Sequence, residues 1–218
     1  MFDPRNKNAF VCLITGRRNK GKTSLLVKML LHPQLLRNKF HEVYLINPTY
    51  ESNAEKYQCV KFTEVITEFD TDVIEGIKER CTEQIAEDPK RNFLLILDDC
   101  MSEEDFKSDQ SHHILNDFAC NSRHINLSVI ILSQVYKGVS LTVRRQLDYL
   151  IFFSNCNHQE LGSLYEEYGF STKRSFMDIL DKHVFKDKHD FLFIDNVEDK
   201  AYRNFDLTTN VKKYADML

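Results

Sequence analysis

Five short runs of consecutive apolar residues punctuate this chain, and polar or helix-period stretches separate them. Phe10-Val11-Cys12-Leu13-Ile14, Glu42-Val43-Tyr44-Leu45-Ile46, Phe93 to Leu97, Leu127 to Leu132 and Tyr149 to Phe153 each read as a strand buried on both faces. Between them, apolar residues recur at helical spacing. Ser24 to Leu31 follows the first run, and His32-Pro33 breaks it. Val73, Ile74, Ile77, Cys81 and Ile85 line one side of a helix predicted over 72–87, which stops at Asp88-Pro89. Helices are also predicted from Ile114 to Ser122 and from His158 to Tyr168, with an acidic loop over 101–111. Residues 50–70 show no clear period. Towards the end, Val184-Phe185, a charged turn at Lys186-Asp187-Lys188, and Phe191 to Ile194 predict a closing hairpin, followed by a polar tail from Lys200.

Double-buried strands alternating with helices imply an α/β layer architecture around a mostly parallel sheet. Ligands of such sheets lie at the carboxyl ends of the strands. The whole chain reads as a single domain, 1–218, with a core over about 10–155 and a C-terminal extension over about 156–218.

The carboxyl end of the first run carries chemistry. Gly16-Arg17-Arg18-Asn19-Lys20-Gly21-Lys22-Thr23 matches the G-x-x-x-x-G-K-[ST] phosphate-binding loop without a mismatch, and it stands between a strand and a helix as that motif requires. Glycines let the backbone wrap closely, so loop N–H groups and the helix N-terminus converge on phosphate oxygens. Residues 16–23 with Ser24 form the expected nucleotide-binding set. Lys22 would reach the β- and γ-phosphates, and the Thr23 hydroxyl would bind Mg²⁺. The motif therefore implies a nucleoside triphosphate.

Composition adds limits rather than a function. At 42% hydrophobic and 28% charged residues, 218 residues suffice for one sizeable core. No apolar run is long enough to span a bilayer, and the first residues, with Asp3, Arg5 and Lys7, lack a signal-peptide pattern, so an intracellular setting is expected. Six cysteines are scattered without a C-x-x-C pair, which suits reduced thiols better than disulfides. Cys120 with His124, or Cys156 with His158, lacks a second pair at zinc spacing. The net charge of −4 gives no overall field for nucleic acid, so any DNA contact must come from local basic loops.

Two further polar clusters fall at strand ends. Asp98-Asp99 follows the third apolar run. Asp98 is positioned to hold Mg²⁺ opposite Thr23, and Asp99 to orient and deprotonate an attacking water. Ser133-Gln134 follows the fourth run, where a side-chain amide can contact the γ-phosphate or the lytic water.

With these residues in place, the chain resembles the FtsK/HerA-type DNA-pumping ATPases. The phosphate loop, the Asp98-Asp99 strand end and the segment Ser122-Arg123-His124 through Ser133-Gln134 occur in that family's order, and the arginine–strand–glutamine segment is the discriminating part. More closely, the chain is similar to the genome-packaging ATPases of large DNA viruses and virophages, the poxvirus-type group, over about residues 10–155. That resemblance implies an additional-strand catalytic-acid fold with sheet order 5-1-4-3-2. It also implies ATP and Mg²⁺ as cofactors, Asp99, Gln134 and Arg123 as catalytic residues, and Thr23 and Asp98 as metal ligands. The implied partners are double-stranded DNA, other copies in a pentameric or hexameric ring, and capsid or portal proteins. The implied setting is the host cytoplasm or virus factory, with association to the virion. Arg123 precedes its strand, at the sheet end opposite its own phosphate loop, so it would act as an arginine finger in a neighbour's site. Arg144 and Arg145 are second candidates. The sequence departs from many pumping ATPases in carrying Asp98-Asp99 where they carry Asp-Glu.

A small nucleoside or nucleotide kinase is the chief alternative, with Lys137, Arg144 and Arg145 as a lid; the paired aspartates favour activating water instead. The GTPase motifs D-x-x-G and N-K-x-D are absent, as is an LSGGQ-like ABC signature. A scaffold that binds ATP without turnover is less consistent with Asp99.

Overall fold

Strand β1, Val11–Thr15, is buried at every position and lies near the centre of one eight-stranded sheet. The computed structural model describes residues 9–100, 109–154 and 158–217. In chain order the strands are β1, β2 (Glu42–Ile46), β3 (Glu64–Ile66), β4 (Phe93–Asp98), β5 (Leu127–Ser133), β6 (Tyr149–Phe153), β7 (Phe191–Asp195) and β8 (Lys200–Arg203). The helices are α1 (Lys22–Leu31), α2 (Tyr50–Asn53), α3 (Thr71–Glu87), α4 (Asp109–Asn121), α5 (Leu141–Arg145), α6 (His158–Tyr168) and α7 (Lys173–Ile179).

The sheet runs β3-β2-β4-β5-β1-β6-β7-β8. Counting β1, β2, β4, β5 and β6 as one to five, the central order is the expected 5-1-4-3-2. The difference lies at the edges. Short β3 adds in parallel beside β2, while β7 and β8 extend the other edge in antiparallel pairing.

The double-sided apolar runs become double-sided burial. Val11 and Leu13 join one core layer, whereas Cys12 and Ile14 join the other, as the two-residue strand period requires. Helix α1 packs Leu26, Met29 and Leu30 against the second layer. Helices α3, α4, α6 and α7 cover the first with Ile74, Ile77, Leu115, Leu164 and Phe176. Truncating a fully buried strand residue such as Leu13 to alanine should cost about 2–5 kcal/mol.

The closing hairpin forms one element later than the sequence pattern suggests. Leu180–Val184 is a π-helical turn, and Val184 is buried with Leu180 and Phe176 on a helical face, which removes it from strand pairing. The hairpin is instead β7–β8, so residues of the polar tail form the edge strand. Helix α7 was not anticipated by apolar period; the Thr172 hydroxyl accepts from the Ser175 amide and starts it. Helix α4 begins at Asp109, earlier than Ile114, while most of the expected acidic loop, the core–extension boundary near 155/156 and Cys156 lie outside the described residues. No helix among the described residues is long and apolar enough to cross a membrane.

Candidate functional site

The phosphate loop leaves β1 under a close-approach constraint. Gly16 has φ +155°, and a Cβ placed there would stand 2.6 Å from the Phe153 Cβ of β6, so only glycine fits. Its amide donates to the Ser133 carbonyl of β5 at 3.2 Å, which pins the loop between both neighbouring strands. Asn19 (φ 61°) and Gly21 (φ 101°) adopt left-handed backbone, and Gly21 caps α1, its carbonyl accepting from Leu25 N at 2.8 Å. Arg18 to Ser24 line an open cleft of about 380 Å³; Gly16 and Arg17 form the stem of the loop behind it. Lys22 Nζ donates to the Gly16 carbonyl at 2.6 Å and to the Arg17 carbonyl at 3.2 Å, folded over the loop it belongs to.

Parallel pairing of β4 with β5 and of β5 with β1 brings three strand ends to this cleft. Thr23 Oγ1 donates to Asp98 Oδ2 at 3.1 Å. The buried Tyr57 hydroxyl donates to the same oxygen. Burial pushes the Asp98 carboxyl above the usual range, against the opposing effect of the hydrogen bonds from Tyr57 and Thr23; neighbouring Asp99 raises it further and Lys22 lowers it. A divalent cation would relieve that desolvation. One hydroxyl and one carboxylate, both hard oxygen donors at the cleft wall, fit Mg²⁺ as partial ligands that leave room for phosphate and water.

Asp99 points differently from Asp98 because its backbone is left-handed, φ 56°. Gln134 Nε2 donates to Asp99 Oδ1 at 2.9 Å, and Thr49 Oγ1 lies 3.4 Å from Asp99 Oδ2. Thr49 is held in turn by Asn47 Oδ1, which accepts from its amide at 2.8 Å and its hydroxyl at 3.0 Å. Gln134 thereby orients one oxygen of the second aspartate, with the Thr49 hydroxyl close to the other.

The arginines separate. Arg123 lies at the opposite end of the sheet, where Nη2 reaches Asp148 Oδ2 at 2.9 Å and the Gln146 carbonyl at 3.2 Å. Arg144 is buried, paired with Glu167 at 2.9 Å, donating to the Val139 carbonyl at 2.7 Å and stacked over Tyr136. Arg145 is exposed.

Sequence reasoning missed Thr49 and His189, which line the cleft, and Tyr57, which is buried against Asp98 behind it. Thr49 could have been found, since it follows the carboxyl end of β2, the edge at which ligands bind. His189 precedes β7, and because β7 runs antiparallel to β6, its start lies at the edge where β6 ends. Among the described residues no group of three or more His, Cys, Asp or Glu could hold a metal ion.

The sequence profile of the Poxvirus A32 protein family matches residues 2–202. The chain belongs to that family. No curated protein sequence matches it. Among solved structures, the chain is similar to B204, the DNA-packaging ATPase from Sulfolobus turreted icosahedral virus, at 17% identity and TM-score 0.65, covering 91% of this chain and 97% of that one. It is similar to the genome packaging NTPase B204 from Sulfolobus turreted icosahedral virus 2 in complex with ATP-gammaS at 19% identity and TM-score 0.61, covering 90% and 97%. EssC (ATPases 2 and 3) from Geobacillus thermodenitrificans resembles it at 13% identity and TM-score 0.62, over 96% of this chain and 43% of that one. These likenesses establish the fold that the A32 family member shares with phosphate-loop ATPases.

Proposed function

We propose that this chain is an ATP-hydrolysing motor that moves double-stranded DNA, and that it packages a viral genome into the capsid. Membership of the A32 family over residues 2–202 carries the reading. The fold shared with B204, whose structures are described as those of a genome-packaging NTPase, supports it.

ATP occupies the cleft with its phosphates against the loop amides and Lys22, whose ammonium neutralises the β- and γ-oxygens. Thr23 and Asp98 hold Mg²⁺, which when bound neutralises phosphate charge. Asp99 accepts a proton from the attacking water as the water oxygen bonds to the γ-phosphorus, and the bond to the β–γ bridging oxygen breaks to release ADP. Gln134 holds that carboxylate in line, with Thr49 beside it. A second cation comes from a neighbouring copy in a ring of five or six. Arg144 is engaged in the core, so Arg123 and Arg145 are the candidates. Capsid or portal proteins would anchor the ring, in the cytoplasm or virus factory and at the virion.

Phosphate release measured with and without double-stranded DNA tests this function. DNA-stimulated hydrolysis is expected. Transfer of phosphate to a nucleoside or nucleotide would establish the kinase reading instead.

A further inference from the structure

A histidine from the C-terminal hairpin stands against the phosphate loop. His189 lines the cleft beside Lys20 and Gly21, and its Nδ1 lies 3.0 Å from the Lys20 carbonyl oxygen. A carbonyl only accepts, so Nδ1 carries the proton of that bond. This fixes the ring's tautomer and leaves Nε2 as its remaining polar atom, an acceptor in the neutral ring and a donor in the cation. Among the described residues Nε2 has no hydrogen-bond partner.

The backbone beside the imidazole is fixed through Asp190. Asp190 Oδ2 accepts from Lys186 N at 3.0 Å, Asp187 N at 2.8 Å and Arg203 Nη2 at 2.8 Å, and Oδ1 accepts from Asn204 Nδ2 at 2.8 Å. The Asp190 carbonyl accepts from Ser154 N, just beyond β6, at 3.1 Å. Two strands and a turn therefore grip the residue next to His189. A solvated histidine on an exposed turn needs no such frame.

Sheet order says which part of a ligand this ring would meet. Asp98, Asp99 and Gln134 stand at the carboxyl ends of β4 and β5, on one side of β1; His189 belongs to the β6–β7 flank, on the other. The reacting phosphate lies towards the carboxylates. The opposite flank is left for the α-phosphate and nucleoside.

We propose that His189 is a nucleotide-recognition residue, with Nδ1–H holding the Lys20 carbonyl and Nε2 hydrogen-bonding the nucleoside of the bound nucleotide. This rests on the reading of the cleft as a nucleotide site. The hairpin beyond the core thereby completes that site.

The test compares wild type, His189→Asn and His189→Ala for affinity towards ADP and towards inorganic tripolyphosphate, with thermal melting to confirm folding. Asparagine retains a donor near the Nδ1 position and removes Nε2. Both variants should lose ADP affinity by about three- to tenfold, the scale of one hydrogen bond, while His189→Asn binds tripolyphosphate as wild type does. Wild-type ADP affinity in His189→Asn would overturn the proposal. An equal loss for both ligands in both variants would also overturn it, because His189 would then act only through the loop. A wild type that binds no ADP would refute the nucleotide reading itself, a result distinct from a histidine that does not matter.

Discussion

Gln134 donates its amide to Asp99 at 2.9 Å, a side-chain bond across the adjacent ends of the paired strands β5 and β4. Through this contact the strand-end glutamine holds one carboxylate oxygen while Thr49 lies close to the other. Gln134→Ala should leave ATP binding within about twofold, since Gln134 bonds the Asp99 carboxylate and not the phosphate loop. The hydrolysis rate should fall by roughly ten- to a hundredfold as Asp99 loses alignment. Single-turnover hydrolysis beside equilibrium binding separates the two; parallel losses would place Gln134 in ground-state binding.

Asp98→Asn and Asp99→Asn should fail differently. The first removes a charge from the pair Thr23–Asp98 and should weaken Mg²⁺-dependent nucleotide binding. The second should bind Mg-ATP and turn over about 10²–10⁴-fold more slowly, the usual contribution of a general base. Wild-type turnover in Asp99→Asn would put the base elsewhere.

Acid should act through Asp98. Burial raises its folded pKa above the unfolded value, so the metal-free folded protein binds this proton more readily than the unfolded chain does. The metal-free protein therefore gains stability as pH falls through the raised value and loses it as pH rises. Mg²⁺ binding has the opposite sign and should be lost on acidification as Asp98 takes up its proton. Tyr57→Phe removes a donor that lowers the Asp98 pKa, so the midpoint for Mg²⁺ loss should move to higher pH. Mg²⁺ titrations across pH in both proteins would show it; a midpoint unmoved in Tyr57→Phe would deny the Tyr57 contact this role.

Arg123 carries a structural load as well as the proposed catalytic one. Asp148 is almost fully buried, and its Oδ2 accepts both from Val11 N at 2.9 Å and from Arg123. Arg123→Ala should therefore lower stability by about 1–2 kcal/mol. If Arg123 is also the finger supplied to a neighbour, mixing Arg123→Ala with inactive Lys22→Ala should restore hydrolysis in mixed rings. No restoration in mixed oligomers shown to form would move the role to Arg145.

The sequence disclosed what is local and missed what depends on which strands become neighbours. Gly16 to Thr23 was legible because the loop is contiguous and its chemistry is in the backbone. Asp98 and Gln134 were legible because each stands at the end of a double-buried strand, and parallel strands put such ends on one edge. Tyr57 was invisible, since it comes from a stretch without apolar period and reaches Asp98 only after β2 and β4 pair. His189 was invisible for a related reason: the direction of β7 decides which edge it joins, and that was not readable from Phe191 to Ile194. The hairpin was misplaced because Val184-Phe185 satisfies a strand pattern as well as a helical face.

Displacement of a triplex-forming third strand from double-stranded DNA reports translocation directly. Wild-type protein with Mg-ATP should strip the third strand, and Lys22→Ala, folded but unable to engage the phosphates, should not. ATP hydrolysed by wild type with no displacement, or phosphate delivered to a nucleoside acceptor, would contradict a DNA-moving motor.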